Sequence, residues 1–124
     1  MNLNEYQDKA LSFRLPSADD LYAMFNLTGE VGELNSLIAK AIRDGQKPDL
    51  YDNIKKELGD ILWCLAAVAK DWEFTLEEIA EANIDKLSLR KANGTIQGSG
   101  DSREDWDEAR IDIIGQNGND GEHY

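Results

Sequence analysis

Glu30-Val31-Gly32-Glu33-Leu34 returns 27 residues later as Glu57-Leu58-Gly59-Asp60-Ile61, and the way this pair is read decides the fold. Each copy sets two carboxylates three residues apart, with Gly before the second acid and apolar residues between and after. On a helix, residues three apart share a face. With Glu30 at zero and about 100° per residue, Glu33 lies near −60°, Leu27 near +60° and Leu34 near +40°. With Glu57 at zero, Asp60, Ile54 and Ile61 take the same places. The acids thus sit inside the apolar stripe of each helix rather than opposite it. Carboxylates drawn into an apolar stripe need compensation. Two such helices side by side would converge four carboxylates into a hard oxygen cage suited to Mg²⁺ or Mn²⁺. The competing reading is a pair of solvated acidic faces, with Lys55 and Lys56 as ion-pair partners. The mid-helix glycines Gly32 and Gly59 point to close helix contact or to room for a ligand.

Working outward, the periodicity predicts helices over 2–13, 19–44, 49–72 and 76–92. Ser17 reads as the cap of the second, with Asp20 three later; Gly45 and Pro48 end it. Leu21, Met24, Leu27, Val31, Leu34, Ile38 and Ala41 form its heptad-like stripe; Leu50, Ile54, Leu58, Ile61, Leu65, Val68 and Trp72 form that of the third. Thr75-Leu76-Glu77-Glu78 is a capping-box signature, and Asn93-Gly94 closes the fourth helix. Residues 61–69 are apolar all round, which predicts enclosure completed by another subunit. No strand pattern of useful length appears, so the expected class is all-α, a four-helix-type bundle.

Composition narrows the function. The chain of 124 residues fits one domain and carries a net charge of −12. That charge repels a nucleic-acid backbone, and no run is long enough to span a membrane. The start of the chain lacks the pattern of a secretion signal. Cys64 is the only cysteine and reads as a small core residue, which suits a reducing cytosol; His123 is the only histidine, so neither a three-His zinc site nor a Ser-His-Asp triad is expected. Residues 104–124 hold seven acids and one Arg and form a Gly-punctuated acidic extension, with helical turns expected near Trp106 and an apolar patch at Ile111, Ile113 and Ile114. The expected division is 1–103 as the functional domain and 104–124 as an extension, flexible or docked on a neighbouring subunit.

Glu30-x-x-Glu33 followed by Glu57-x-x-Asp60 resembles the all-α nucleoside triphosphate pyrophosphohydrolases of the MazG type, a superfamily that includes dimeric dUTPases and phosphoribosyl-ATP pyrophosphohydrolases. The resemblance extends to Asn83-x-x-Lys86-Leu87-x-x-Arg90 and to Gly98-Ser99-Gly100-Asp101-Ser102-Arg103. It implies cleavage between the α and β phosphates, with Glu30, Glu33, Glu57 and Asp60 as catalytic Mg²⁺ ligands. Asn83 would complete a metal shell or read the sugar, and Lys86, Arg90 and Arg103 would hold phosphates; Lys40 is a lesser phosphate candidate. It also implies a homo-oligomer, dimer or tetramer, in the cytoplasm. The chain departs from the family where a further Glu often precedes the first acid: here Gly29 stands there. Two alternatives remain at this point, a non-catalytic acidic binding or regulatory bundle and a phosphoribosyl-ATP pyrophosphohydrolase.

Overall fold

A computed structural model of the chain describes residues 1–19 and 21–98. Four helices follow in order, α1 (Leu3–Leu11), α2 (Leu21–Asp44), α3 (Leu50–Asp71) and α4 (Leu76–Ala92), and there is no strand among the described residues. The fold is all-α, as expected, with boundaries within two residues of those read from periodicity. Asp20, Arg103 and the whole 104–124 extension lie outside the described residues, as do the expected turns near Trp106 and the isoleucine patch. Among the described residues, no helix is long and apolar enough to cross a membrane.

The ends of the helices obey local chemistry. At α1, the Asn2 side chain accepts from Glu5 N at 2.8 Å while Glu5 Oε2 accepts from Asn2 N at 3.2 Å, a reciprocal capping box. The box expected at Thr75 is present: Glu78 N donates to Thr75 Oγ1 at 3.1 Å and Thr75 N to Glu78 Oε2 at 2.9 Å. Gly94 adopts φ +69 beyond α4, where Thr95 N reaches Arg90 O and Gly94 N reaches Lys91 O, a Schellman ending. The end of α3 has the same hydrogen-bond pattern, Phe74 N to Ala69 O and Glu73 N to Lys70 O, but the left-handed residue is Glu73, at φ 63.

The chain divides into two compact units, Met1–Ala80 and a second beginning at Glu81. In the first, α2 and α3 pack against each other across the short 45–49 turn, and α1 packs on α3. Small residues line these contacts: Ala10, Ala23, Cys64, Ala66, Ala67 and Ala69 are buried. Gln7, itself buried, ties the unit together. Its Nε2 donates to Ala66 O and Phe74 O, each at 3.1 Å, and its Oε1 accepts from Leu76 N at 3.0 Å. Trp63 Nε1 donates to Ala10 O at 3.0 Å, and Arg14 clasps Asp71 through two hydrogen bonds of 2.7 and 2.9 Å.

The apolar stripes split in a way periodicity did not show. Leu27, Leu34 and Ala41 on α2 and Ile54, Ile61 and Val68 on α3 are half-buried. One step around each helix, Met24, Val31 and Ile38, and Tyr51, Leu58, Leu65 and Trp72, are exposed. Among the described residues the 61–69 run is enclosed on most sides: Cys64, Ala66, Ala67 and Ala69 are buried, Ile61, Leu62, Trp63 and Val68 are half-buried, and Leu65 is exposed. Among the described residues the close helix contact considered for Gly32 and Gly59 is absent, because a Cβ at either would meet nothing within 4 Å. The space beside each glycine is open.

Candidate metal centre

Both acidic motifs fall in the middle of their helices, with α2 carrying Glu30 and Glu33 and α3 carrying Glu57 and Asp60. Packing of α2 on α3 brings Glu30, Glu33 and Glu57 together so that one carboxylate oxygen from each lies within 4.8 Å of the others. Glu30 and Glu57 are half-buried, and Glu33 is exposed. Asp60, the fourth acid expected, is exposed and falls outside this trio, yet its charge acts on both Glu30 and Glu57.

Like charges so close work against ionisation. Glu30 is pushed above the usual carboxylate range by burial first, then by Glu33 and Asp60, partly opposed by a hydrogen bond from Asn26. Glu57 is likewise pushed up, by loss of hydration first and then by Glu33 and Asp60. One oxygen of each, Glu30 Oε2 and Glu57 Oε2, is buried without a hydrogen-bond partner. Lys55 and Lys56, possible partners under the solvated-face reading, are exposed and form no ion pair among the described residues. A hard divalent cation fits this donor set: carboxylate oxygens only, converging from two helices, two of them buried and unpartnered.

The surroundings supply further groups. Asn26, one turn before Glu30, donates from Nδ2 to Glu30 Oε1 at 3.3 Å and to Cys64 Sγ at 3.4 Å. Burial pushes the Cys64 thiol up, which makes it a poor nucleophile and supports its reading as a core residue. Tyr6 of α1 has its phenol pushed up by burial and then by Asp60 and Cys64, which places it on the same side of α3. Lys40 lines a cleft of about 190 Å³ at the turn end of the α2–α3 pair, with Leu37, Lys47 and Asn53. Leu37 lies one turn beyond Glu33 and Asn53 one turn before Glu57, and none of the four acids lines the cleft.

In the second unit, Asn83, Lys86 and Arg90 recur along α4 at spacings of three and four and share a face of it. Asn83 is exposed, Lys86 half-buried and Arg90 buried.

A family model for the MazG nucleotide pyrophosphohydrolase domain matches residues 20–95, which spans α2, α3, α4 and all four acids. The chain belongs to the MazG family. Gene 37 protein of Mycobacterium phage L5 is similar to it, 36% identical over 85 residues, covering 66% of this chain and 75% of the phage protein. No solved structure matches. Membership in the MazG family agrees with the all-α fold.

Motif spacing pointed to Glu30, Glu33, Glu57 and Asp60; it gave no site role to Asn26, to Cys64 (read as a core residue) or to Tyr6. A signal for the first two existed: Asn26 stands four before Glu30 and Cys64 four after Asp60, so each shares the face of an acid. Nothing in the spacing linked Tyr6, which reaches α3 only through tertiary packing.

Proposed function

We propose that the protein hydrolyses nucleoside or deoxynucleoside triphosphates between the α and β phosphates, releasing monophosphate and pyrophosphate, in control or cleansing of a cytoplasmic nucleotide pool. The observation that carries this reading is the trio of carboxylates from α2 and α3, with two buried unpartnered oxygens, inside a MazG domain. Glu30, Glu33, Glu57 and Asp60 would hold Mg²⁺, with Mn²⁺ an acceptable substitute. The bound cation supplies phosphate charge neutralisation and makes water nucleophilic near neutral pH.

The chain's own groups do the rest. The four carboxylates would fix the geometry of the centre from α2 and α3. Gly29 offers no carboxylate, so either the cation alone would activate the attacking water or one of these four acids would take its proton. Lys86 and Arg90 would hold the triphosphate, Arg matching phosphate with its planar fork. Asn83 would meet the sugar or the metal shell, and Arg103, beyond the described residues, would close over the phosphates.

The reading includes a homo-oligomer. Tyr51, Leu58, Leu65 and Trp72 recur every seven residues along α3 and are all exposed, as are Met24, Val31 and Ile38 on α2. Two parallel seams of that kind suit a helical partner surface, and a second copy of the chain offers the same seams in return.

The test is a panel of triphosphates incubated with Mg²⁺, with the products identified. Pyrophosphate and monophosphate are expected for at least one member, with loss of at least about 100-fold in turnover for Glu57→Gln or Asp60→Asn. Orthophosphate as the first product, or full activity in both variants, would refute the reading. Turnover confined to phosphoribosyl-ATP would reassign the substrate. Failure to bind Mg²⁺ would favour a non-catalytic bundle.

A further inference from the structure

Glu30 has a partner that neither the acidic motifs nor the family match assigns a role. Asn26 lies one helical turn earlier on α2 and is half-buried. Its amide nitrogen carries two hydrogens, and both are used: one to Glu30 Oε1 at 3.3 Å, the other to Cys64 Sγ on α3 at 3.4 Å. An amide that touched Glu30 alone would swing with it. Here the second contact reaches across to a fully buried residue of the facing helix, so the amide is referenced to α3. Glu is a long side chain, and its carboxylate can present either oxygen. With Oε1 engaged by Asn26, Oε2 is the oxygen left buried without a partner.

We infer that Asn26 is a positioning residue, which ties Glu30 Oε1 through its amide to Cys64 Sγ of α3 and so leaves Glu30 Oε2 free to ligate a divalent cation together with Glu33 and Glu57. This rests on the reading of those acids as metal ligands. The physical role is that of an outer-shell partner: it does not touch the cation, and it sets the orientation of a group that does. The residue type suits the task. An Asp there would add a fifth repelling carboxylate beside Glu30, Glu33, Glu57 and Asp60, whereas an amide gives two donors and no charge. Asn is also a poorer helix former than Ala, so the helix itself has no use for it.

The test is calorimetric titration of the full chain with Mn²⁺ in the absence of nucleotide, together with thermal unfolding of the metal-free protein. Asn26→Leu keeps the size and removes both donors; Asn26→Ala serves if the leucine disturbs packing. The expected result is a Mn²⁺ dissociation constant raised about 10- to 100-fold in either variant, with the metal-free unfolding midpoint close to that of the parent. In a Glu30→Gln background, where the charged oxygen is gone, the same change at position 26 is expected to add little. Parent-like affinity in both variants would overturn the role of Asn26 while leaving the metal centre intact. So would a loss that persists undiminished in the Glu30→Gln background, since that marks a structural effect. A parent protein that binds no Mn²⁺ would overturn the metal centre itself, and this role with it.

Discussion

Replacing Gln7 by Met should weaken the first unit far more than a surface change on a nine-residue helix would suggest. Met has nearly the shape of Gln, so no cavity forms, and only the hydrogen bonds are lost. Three are at stake. Leu76 N is the most costly, because it sits in the first turn of α4, is buried, and has no helical acceptor. Stranding such a donor costs about 1–3 kcal/mol. Phe74 O is partly buried and adds about 1 kcal/mol. Ala66 O already accepts within α3, so its loss adds little. The sum is about 2–4 kcal/mol, which for a domain of this size lowers the melting temperature by roughly 8–16 °C. Thermal and urea unfolding of the metal-free protein at one fixed concentration would measure it. Gln7→Glu should be costly as well: it keeps the acceptor for Leu76 N but turns a carboxylate oxygen toward two carbonyls. A change below about 0.5 kcal/mol for Gln7→Met would refute the reasoning, since surface substitutions away from such features stay within that range.

Three further outcomes are expected. The folded, metal-free protein holds protons on Glu30 and Glu57 more tightly than the unfolded chain does, so these groups favour folding at low pH and that benefit is lost as pH rises through their raised values. Glu57→Gln should therefore melt above the metal-free parent near neutral pH, with the gap closing on acidification and abolished by Mg²⁺; equal melting curves at every pH would contradict the charge repulsion described. Leu58→Asp or Leu65→Asp should shift sedimentation at micromolar concentration toward the monomer, and an unchanged oligomer would remove α3 from the interface. Glu73→Gly should raise stability by about 1 kcal/mol, because Glu73 holds a left-handed φ of 63 that glycine adopts without strain; chemical denaturation reads this directly, and a loss of stability would show that the Glu73 side chain matters more than its backbone.

Several elements were legible because their causes are local. The capping box at Thr75, the close at Gly94 and the four helical periods depend on neighbours three or four residues away, and all are present. The end of α3 was not legible in the same way: Glu73 takes a place where glycine is usual, and only the Phe74 and Glu73 hydrogen bonds reveal it. The double acidic motif was legible for the same local reason, since three residues of separation fixes a shared face whatever the helix packs against.

Residue spacing was enough for the class, the helices and the angular place of the four acids on their helices, because helix geometry converts spacing into direction. The tertiary structure decided which half of each stripe meets the hairpin partner and which stays exposed, that Glu30, Glu33 and Glu57 form the trio with Asp60 beside it, and that Asn26 spans to Cys64. Those outcomes depend on the rotation and offset of α2 against α3. Residues 38 positions apart in the chain carry no mark of their contact until the helices close on each other.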